Sequence, residues 1–252
     1  MEIRSIASSS KGNCTVISSG DTNILIDCGI SAKQIAKLSG LDSFDAVFIS
    51  HEHGDHIGGV GVMGRKHCMP IYIHEESYKA KKNYEKFYKN CDIIYWEPEE
   101  DITVGDLTVH NFTSRHDSCY SYGFTVSEKD GKKLGYLTDS GSISKLMLNS
   151  LKGCDAYFLE ADYDKELLEN HDDYAPILKE RIMSNWGHLS NDQTMKLIKD
   201  LNMDQPEFII FGHLSDKTNS PELVLEALEK TQPKWDMNKI FIAPLIENIM
   251  EL

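Results

Sequence analysis

Between positions 51 and 56 the chain reads His-Glu-His-Gly-Asp-His, so four metal-ligating side chains fall within six residues. Imidazole nitrogens and carboxylate oxygens suit zinc, manganese or iron, and a mixed N/O set without thiolate belongs to catalysis rather than to structural zinc. Polar groups crowded in this way gain little from packing, whereas a cation holds them together. Three further candidates stand far apart in the sequence: His116 in Ser114-Arg-His-Asp117, Asp139 in Thr138-Asp-Ser-Gly141, and His213 in Gly212-His-Leu-Ser215. A lone histidine of this kind is more often a hydrogen-bonded surface residue. Together with residues 51–56 the three form a coherent ligand set.

Every one of these candidates follows a segment that reads as a strand. Short β-rich runs occur at Asn23–Gly29, Ala46–Ser50, Pro70–His74, Asp92–Trp96, Leu107–Phe112, Tyr122–Val126, Lys133–Leu137, Ala156–Leu159, Phe208–Phe211 and Lys239–Ala243. Ala46–Ser50 leads directly into His51, and His51 and His53 can point the same way in extended geometry. Gly54 then permits the turn that brings in Asp55 and His56. Helical patterns cover Ala32–Leu38, Glu76–Asn90, Ala175–Met183, Asn191–Leu201 and Pro221–Lys230. Ser190 and Ser220 are placed to cap the last two, and Pro221 suits a first helical position. Many strands, fewer helices and no linker predict a layered α/β architecture, with residues 1–252 as one domain.

The composition narrows the options. With 40% hydrophobic and 26% charged residues the chain can bury a sizeable core. Its opening shows no leader-like apolar run and its longest apolar stretches are strand-sized, so a soluble, cytoplasmic protein without a membrane span is expected. None of the six cysteines sits in a Cys-x-x-Cys pair, which argues against a disulfide framework and against a thiolate zinc site. A net charge of −14 opposes binding of nucleic acid over the whole surface, so such a role needs a local basic patch. Lys79, Lys82, Lys86 and Lys89 would line one face of a helix over Glu76–Asn90, either as a solvated face or as a track for a polynucleotide backbone. Ser8, Ser10 and Asn13 could contact an anion or simply satisfy a tight turn. His67, His74, His110 and His171 fit no ligand slot, and the absence of a Gly-x-Ser-x-Gly elbow disfavours a serine hydrolase.

The ordered motifs, His-x-His-x-Asp-His, an isolated His, Asp in Thr-Asp-Ser-Gly and a late His, resemble those of the metallo-β-lactamase superfamily over nearly the whole chain. The opening Ser5–Cys14, Leu25-Ile-Asp-Cys-Gly29 and the paired His-Leu-Ser at His188 and His213 resemble the YycJ/WalJ branch in particular. That branch is described as DNA exonucleases, related to tRNase Z and the phosphodiesterase PhnP. The resemblance implies an α/β fold of the metallo-β-lactamase type, a four-layer αββα sandwich with its site at one edge between the sheets. It implies two divalent ions, zinc or manganese with iron as a third option. One would be held by His51, His53 and His116, the other by Asp55, His56 and His213, with Asp139 between them. Such a pair shares a hydroxide and clamps a phosphoryl oxygen, and its net positive charge favours a phosphodiester over a neutral amide or lactone.

His188 matches the proton donor of phosphodiesterase branches, with Glu160 as its orienting carboxylate; these two and Asp55 make up the expected catalytic group. Ser9, Lys11 and Asp162 depart from the Gly, Ser and Asn expected at their positions. The resulting expectation is a dinuclear phosphodiester hydrolase acting on DNA ends. A small-molecule phosphodiesterase, or another hydrolase on the same centre, is the alternative. From a different class comes a non-catalytic metal-binding module. A homo-oligomer is left open.

Overall fold

The computed structural model describes residues 1–129, 131–202, 204–232, 234–245 and 249–252. Its strands are β1 (Glu2–Ser9), β2 (Gly12–Ser19), β3 (Thr22–Ile26), β4 (Ala46–Phe48), β5 (Pro70–Ile73), β6 (Asp92–Tyr95), β7 (Asp101–Val104), β8 (Leu107–Thr113), β9 (Tyr122–Glu128), β10 (Lys133–Leu137), β11 (Ala156–Glu160), β12 (Ile209–Gly212), β13 (Ile240–Ile242) and β14 (Met250–Glu251). They form two seven-stranded sheets in the orders β14-β1-β2-β3-β4-β5-β6 and β13-β12-β11-β10-β9-β8-β7. In both, an antiparallel part passes into a parallel one: β3 to β6 run parallel in the first, and β10 to β13 in the second. Strands β11 and β12 are buried at every residue, which is why their sequences read as continuous apolar runs rather than as alternation.

Side-chain alternation builds the layers. Phe48 and Tyr72 enter the core between the sheets with Tyr136, Phe158 and Ile210. Their neighbours Val47 and Ile71 turn instead to the outer face, against Ile35, Val60 and Met63. On the opposite side Leu137, Leu159 and Phe211 pack against Met147, Met195, Ile198 and Val224. The result is the αββα sandwich. A side chain such as Phe158, fully buried, contributes about 1.5–3 kcal/mol over its exposed state.

Since β8 and β10 both run antiparallel to β9, their C-terminal ends lie at the same edge. The parallel partners β11 and β12 end there too. His116, Asp139, Glu160 and His213 all follow these ends, the place where layered α/β folds build their sites.

The structure departs from the sequence reading in the lysine segment. The helix expected over Glu76–Asn90 is two short pieces, Glu75–Ala80 and Tyr84–Phe87, separated by an extended Lys81 and a left-handed Asn83 (φ 58°). The rings of Tyr78 and Tyr88 stand 4.8 Å apart. On one straight helix, ten residues would separate them by about 15 Å. Packing of the tyrosines therefore folds the segment back. Lys79, Lys82, Lys86 and Lys89 do not share one helical face, and Lys79 is paired with Glu75 at 2.7 Å. The hairpin of β1 and β2 and the helices Val60–His67 and Lys145–Leu151 were not legible as such.

Candidate metal centre

The centre is built outward from Asp27, a fully buried residue with left-handed backbone (φ 59°) just after β3. Its carboxylate accepts the Ser50 N–H at 2.8 Å, the Ser50 hydroxyl at 2.8 Å and His56 Nδ1 at 2.7 Å. Ser50 Oγ also meets His51 Nδ1 at 3.0 Å. One carboxylate thus turns the Nε2 atoms of both His51 and His56 towards the same space, the usual way in which a ligand imidazole is oriented. In the sequence Asp27 stands within Leu25-Ile-Asp-Cys-Gly29, where local pattern assigns it no role. A charged residue ending a buried strand was the available signal.

The short helix Gly54–Ile57 carries Asp55 and His56. It packs so tightly on the segment after β3 that a Cβ on Gly29 would come within 1.6 Å of the Asp55 carbonyl, so only glycine fits there. Asn13 Nδ2 lies 3.3 Å from Asp55 Oδ2 and 3.0 Å from His56 Nε2. Ser8 Oγ accepts the His213 N–H at 2.7 Å, so this serine holds a ligand loop rather than an anion. Ser10 lines the cavity over the centre.

His51 Nε2 and His53 Nδ1 are 3.0 Å apart, and His53 Nδ1 is 3.2 Å from His116 Nε2. His116 is turned inward because its Nδ1 donates to the Gly187 carbonyl at 3.0 Å. Across from these three, Asp55, His56 and His213 form a second group, and Asp139 stands between the two. Its oxygens lie 3.4 Å from His56 Nε2, 3.4 Å from His213 Nε2 and 3.9 Å from His116 Nε2. Within each group the ligand atoms lie within 4.8 Å of one another. All seven residues singled out by the sequence come together. His67, His74, His110 and His171 stay outside these groups.

The electrostatics fit a divalent cation. Burial, reinforced by His56, holds His51 well below its ordinary pKa, and burial brings His116 down to about 4, so both are neutral, as ligation demands. Burial also works against charge on His56, yet Asp139 and Asp27 raise it to about 10. That behaviour reveals an excess of negative charge which a dication would neutralise. Asp139 Oδ2, His213 Nδ1 and His213 Nε2 are buried with no hydrogen-bond partner among the described residues. Orphaned buried groups of this kind cost about 1–3 kcal/mol each, and a bound ion would satisfy Asp139 Oδ2 and one nitrogen of His213.

His188 and Glu160 stand beside Asp139. His188 Nδ1 is 2.7 Å from Glu160 Oε1 and 3.9 Å from Asp139 Oδ1. Glu160 is fully buried, and its Oε2 accepts the Ser140 N–H at 2.9 Å. Burial disfavours charge on His188, but Glu160 outweighs it and raises the imidazole to about 9. Asp162, 3.7 Å from His213 Nδ1, backs that ligand from outside. The cavity over the centre is about 220 Å³, lined in part by His53, Asp139, Arg181 and His188. A larger hollow of about 640 Å³ beside Glu2, Arg4 and Glu128 holds none of the ligand groups.

Residues 22–214 match the family model described as the beta-lactamase superfamily domain. The chain is 35% identical over 227 residues to the exodeoxyribonuclease WalJ of Streptococcus pneumoniae serotype 2 (strain D39), covering 86% of this chain and 83% of that protein. It is 29% identical over 223 residues to the exodeoxyribonuclease YycJ of Bacillus anthracis, with 86% and 84% covered. Among solved structures, the metallo-beta-lactamase fold protein YhfI of Bacillus subtilis superposes with a TM-score of 0.75 at 18% identity, covering 100% of this chain and 99% of that one.

Proposed function

The chain belongs to the beta-lactamase superfamily and is a metal-dependent hydrolase, and on that footing we propose that it is a two-metal phosphodiesterase acting on DNA ends. Residues His51, His53 and His116 would hold one divalent ion and Asp55, His56 and His213 the other, with Asp139 shared. When bound, such ions supply a hydroxide nucleophile at neutral pH and a clamp for phosphoryl oxygens. Zinc or manganese is the expected metal, with iron as a third option, because the donor set is imidazole and carboxylate. One catalytic domain suffices for this chemistry, since both sheets deliver their ligands to one edge.

The observation that carries the reading is the His188–Glu160 pair at 2.7 Å beside Asp139. An alkoxide leaving from a phosphodiester is a poor leaving group and needs a proton. Glu160 occupies His188 Nδ1 and so leaves Nε2 as the nitrogen that gives it. An acid in this position contributes about 10²–10⁴-fold. Support for DNA as substrate comes from the two exodeoxyribonucleases, each covered over more than four-fifths of its length.

A small diester is the second reading. The cavity of about 220 Å³ favours it, because that space lies below the roughly 300–1,000 Å³ of most small-molecule sites and admits little beyond one diester. Metal-loaded protein on end-labelled single- and double-stranded DNA and RNA, beside bis-p-nitrophenyl phosphate, separates the two. Stepwise release of nucleotides from a DNA end, abolished by chelation, is expected. Hydrolysis of the small diester with no polynucleotide product would overturn the DNA reading.

A further inference from the structure

Trp186 is 56% exposed and sits on the excursion between β11 and β12 that supplies part of the cavity's lining. Leu178, Arg181, Gly187 and His188 of the same excursion line that cavity. The turn bearing the indole is firmly held. Gly187 N–H donates to the Ser184 carbonyl at 3.0 Å, His188 N–H to the Ile182 carbonyl at 3.0 Å, and Ser142 Oγ to the Asn185 carbonyl at 3.0 Å. The carbonyl of Gly187, one residue on, is the group that orients His116. A large indole on so rigid a support contributes little to the core, and the two residues that follow it, Gly187 and His188, line the cavity.

Arg181 is the one Lys or Arg among the described residues that line the cavity. Its Nε donates to Asp117, whose other oxygen lies 3.3 Å from His116 Nε2. This pairing fixes the guanidinium at the cavity wall and leaves its Nη donors for an anion. The volume decides where a polynucleotide must run. At about 220 Å³ the cavity lies below the roughly 300–1,000 Å³ of most small-molecule sites, with room for the scissile diester and little of its flanks. Flanking nucleotides must lie on the rim, and the dispersed lysines of residues 79–89 offer them no continuous track.

We propose that Arg181 and Trp186 form the subsite for the nucleotide flanking the scissile bond. Arg181 takes its phosphate and Trp186 stacks on its base. Inside a duplex a base is stacked on both faces and closed to the indole, so the substrate class is a single-stranded or frayed end. This inference rests on the phosphodiesterase reading.

The test compares metal-loaded wild type, Arg181→Ala, Trp186→Ala and Trp186→Phe on a single-stranded oligonucleotide and on bis-p-nitrophenyl phosphate. In Trp186→Ala the ratio of DNA cleavage to small-diester hydrolysis falls by about tenfold or more, and Trp186→Phe restores most of it. Arg181→Ala lowers the same ratio through KM. Titration with a hydrolysis-resistant phosphorothioate oligonucleotide quenches tryptophan emission in wild type, and the quench is lost in Trp186→Phe. Unchanged ratios, or an equal quench in Trp186→Phe, overturn the subsite while leaving the DNA reading intact. Wild type that hydrolyses the small diester but neither DNA nor RNA overturns both.

Discussion

The two ligand groups that meet at Asp139 are built differently. Directly behind His51 and His116 stand neutral groups, the Ser50 hydroxyl and the Gly187 carbonyl, and one carboxylate, Asp117, lies 3.3 Å from His116 Nε2. Behind Asp55, His56 and His213 stand carboxylates: Asp27 at 2.7 Å from His56, and Asp162 and Glu160 each at 3.7 Å from His213. The first group offers three imidazoles. The second adds a carboxylate ligand and three more negative charges close by. On the two-metal proposal, a hard dication would therefore be held more strongly by the second group, and the first would complete the pair.

Asp139 is the one ligand with an oxygen near both groups, so its removal is expected to have the largest effect. Asp139→Ala should lose activity beyond the roughly 10²–10⁴-fold typical of a single acid–base group, measured as kcat on bis-p-nitrophenyl phosphate. Activity within tenfold of wild type would mean that the groups do not share it. Next comes His188, which belongs to neither group. His188→Ala should keep its metal and lose on the order of 10²-fold in kcat on substrates with alkoxide leaving groups. The loss should be smaller with p-nitrophenolate, which leaves without a proton. Equal losses on both substrates would assign His188 another job.

The comparison itself is sharpened by metal titration. His213→Ala should weaken the first ion to bind, whereas His116→Ala should spare the first and weaken the second. Asp27→Asn, which removes charge behind His56, should cost about 10–100-fold in affinity for the tighter ion. Identical binding curves for His213→Ala and His116→Ala would erase the asymmetry. The smallest effect is expected at the lysines. Reversing Lys82, Lys86 and Lys89 to Glu should leave the salt dependence of DNA cleavage unchanged, because these residues form no common face. A flatter salt slope would restore them as a backbone track.

The fold and the cluster at residues 51–56 were legible because both rest on short-range signals. Buried parallel strands such as Ala156–Glu160 announce themselves as apolar runs, and four ligand types within residues 51–56 leave little room for another reading. Helices with clear caps, Asn191–Leu201 above all, appear with their expected bounds. What stayed hidden depends on tertiary contact. Asp27 supports His56 across 29 residues, and Gly187 supports His116 across 71. Nothing in local pattern marks either pairing. The lysine segment misled for the converse reason: its helical period is real in sequence, but packing of Tyr78 against Tyr88 overrides it. The hairpin of β1 and β2 escaped because its strands are rich in Ser, and only packing against the rest of the first sheet makes them extended.

The central claim, two ions joined through Asp139, is tested most directly by electron paramagnetic resonance of protein loaded with manganese(II). Ions about 3.5–4 Å apart through a shared carboxylate couple magnetically. Fully loaded wild type should give the spectrum of a coupled pair, and Asp139→Ala that of isolated ions. Isolated-ion spectra from fully loaded wild type, or a coupled pair that survives in Asp139→Ala, would contradict it.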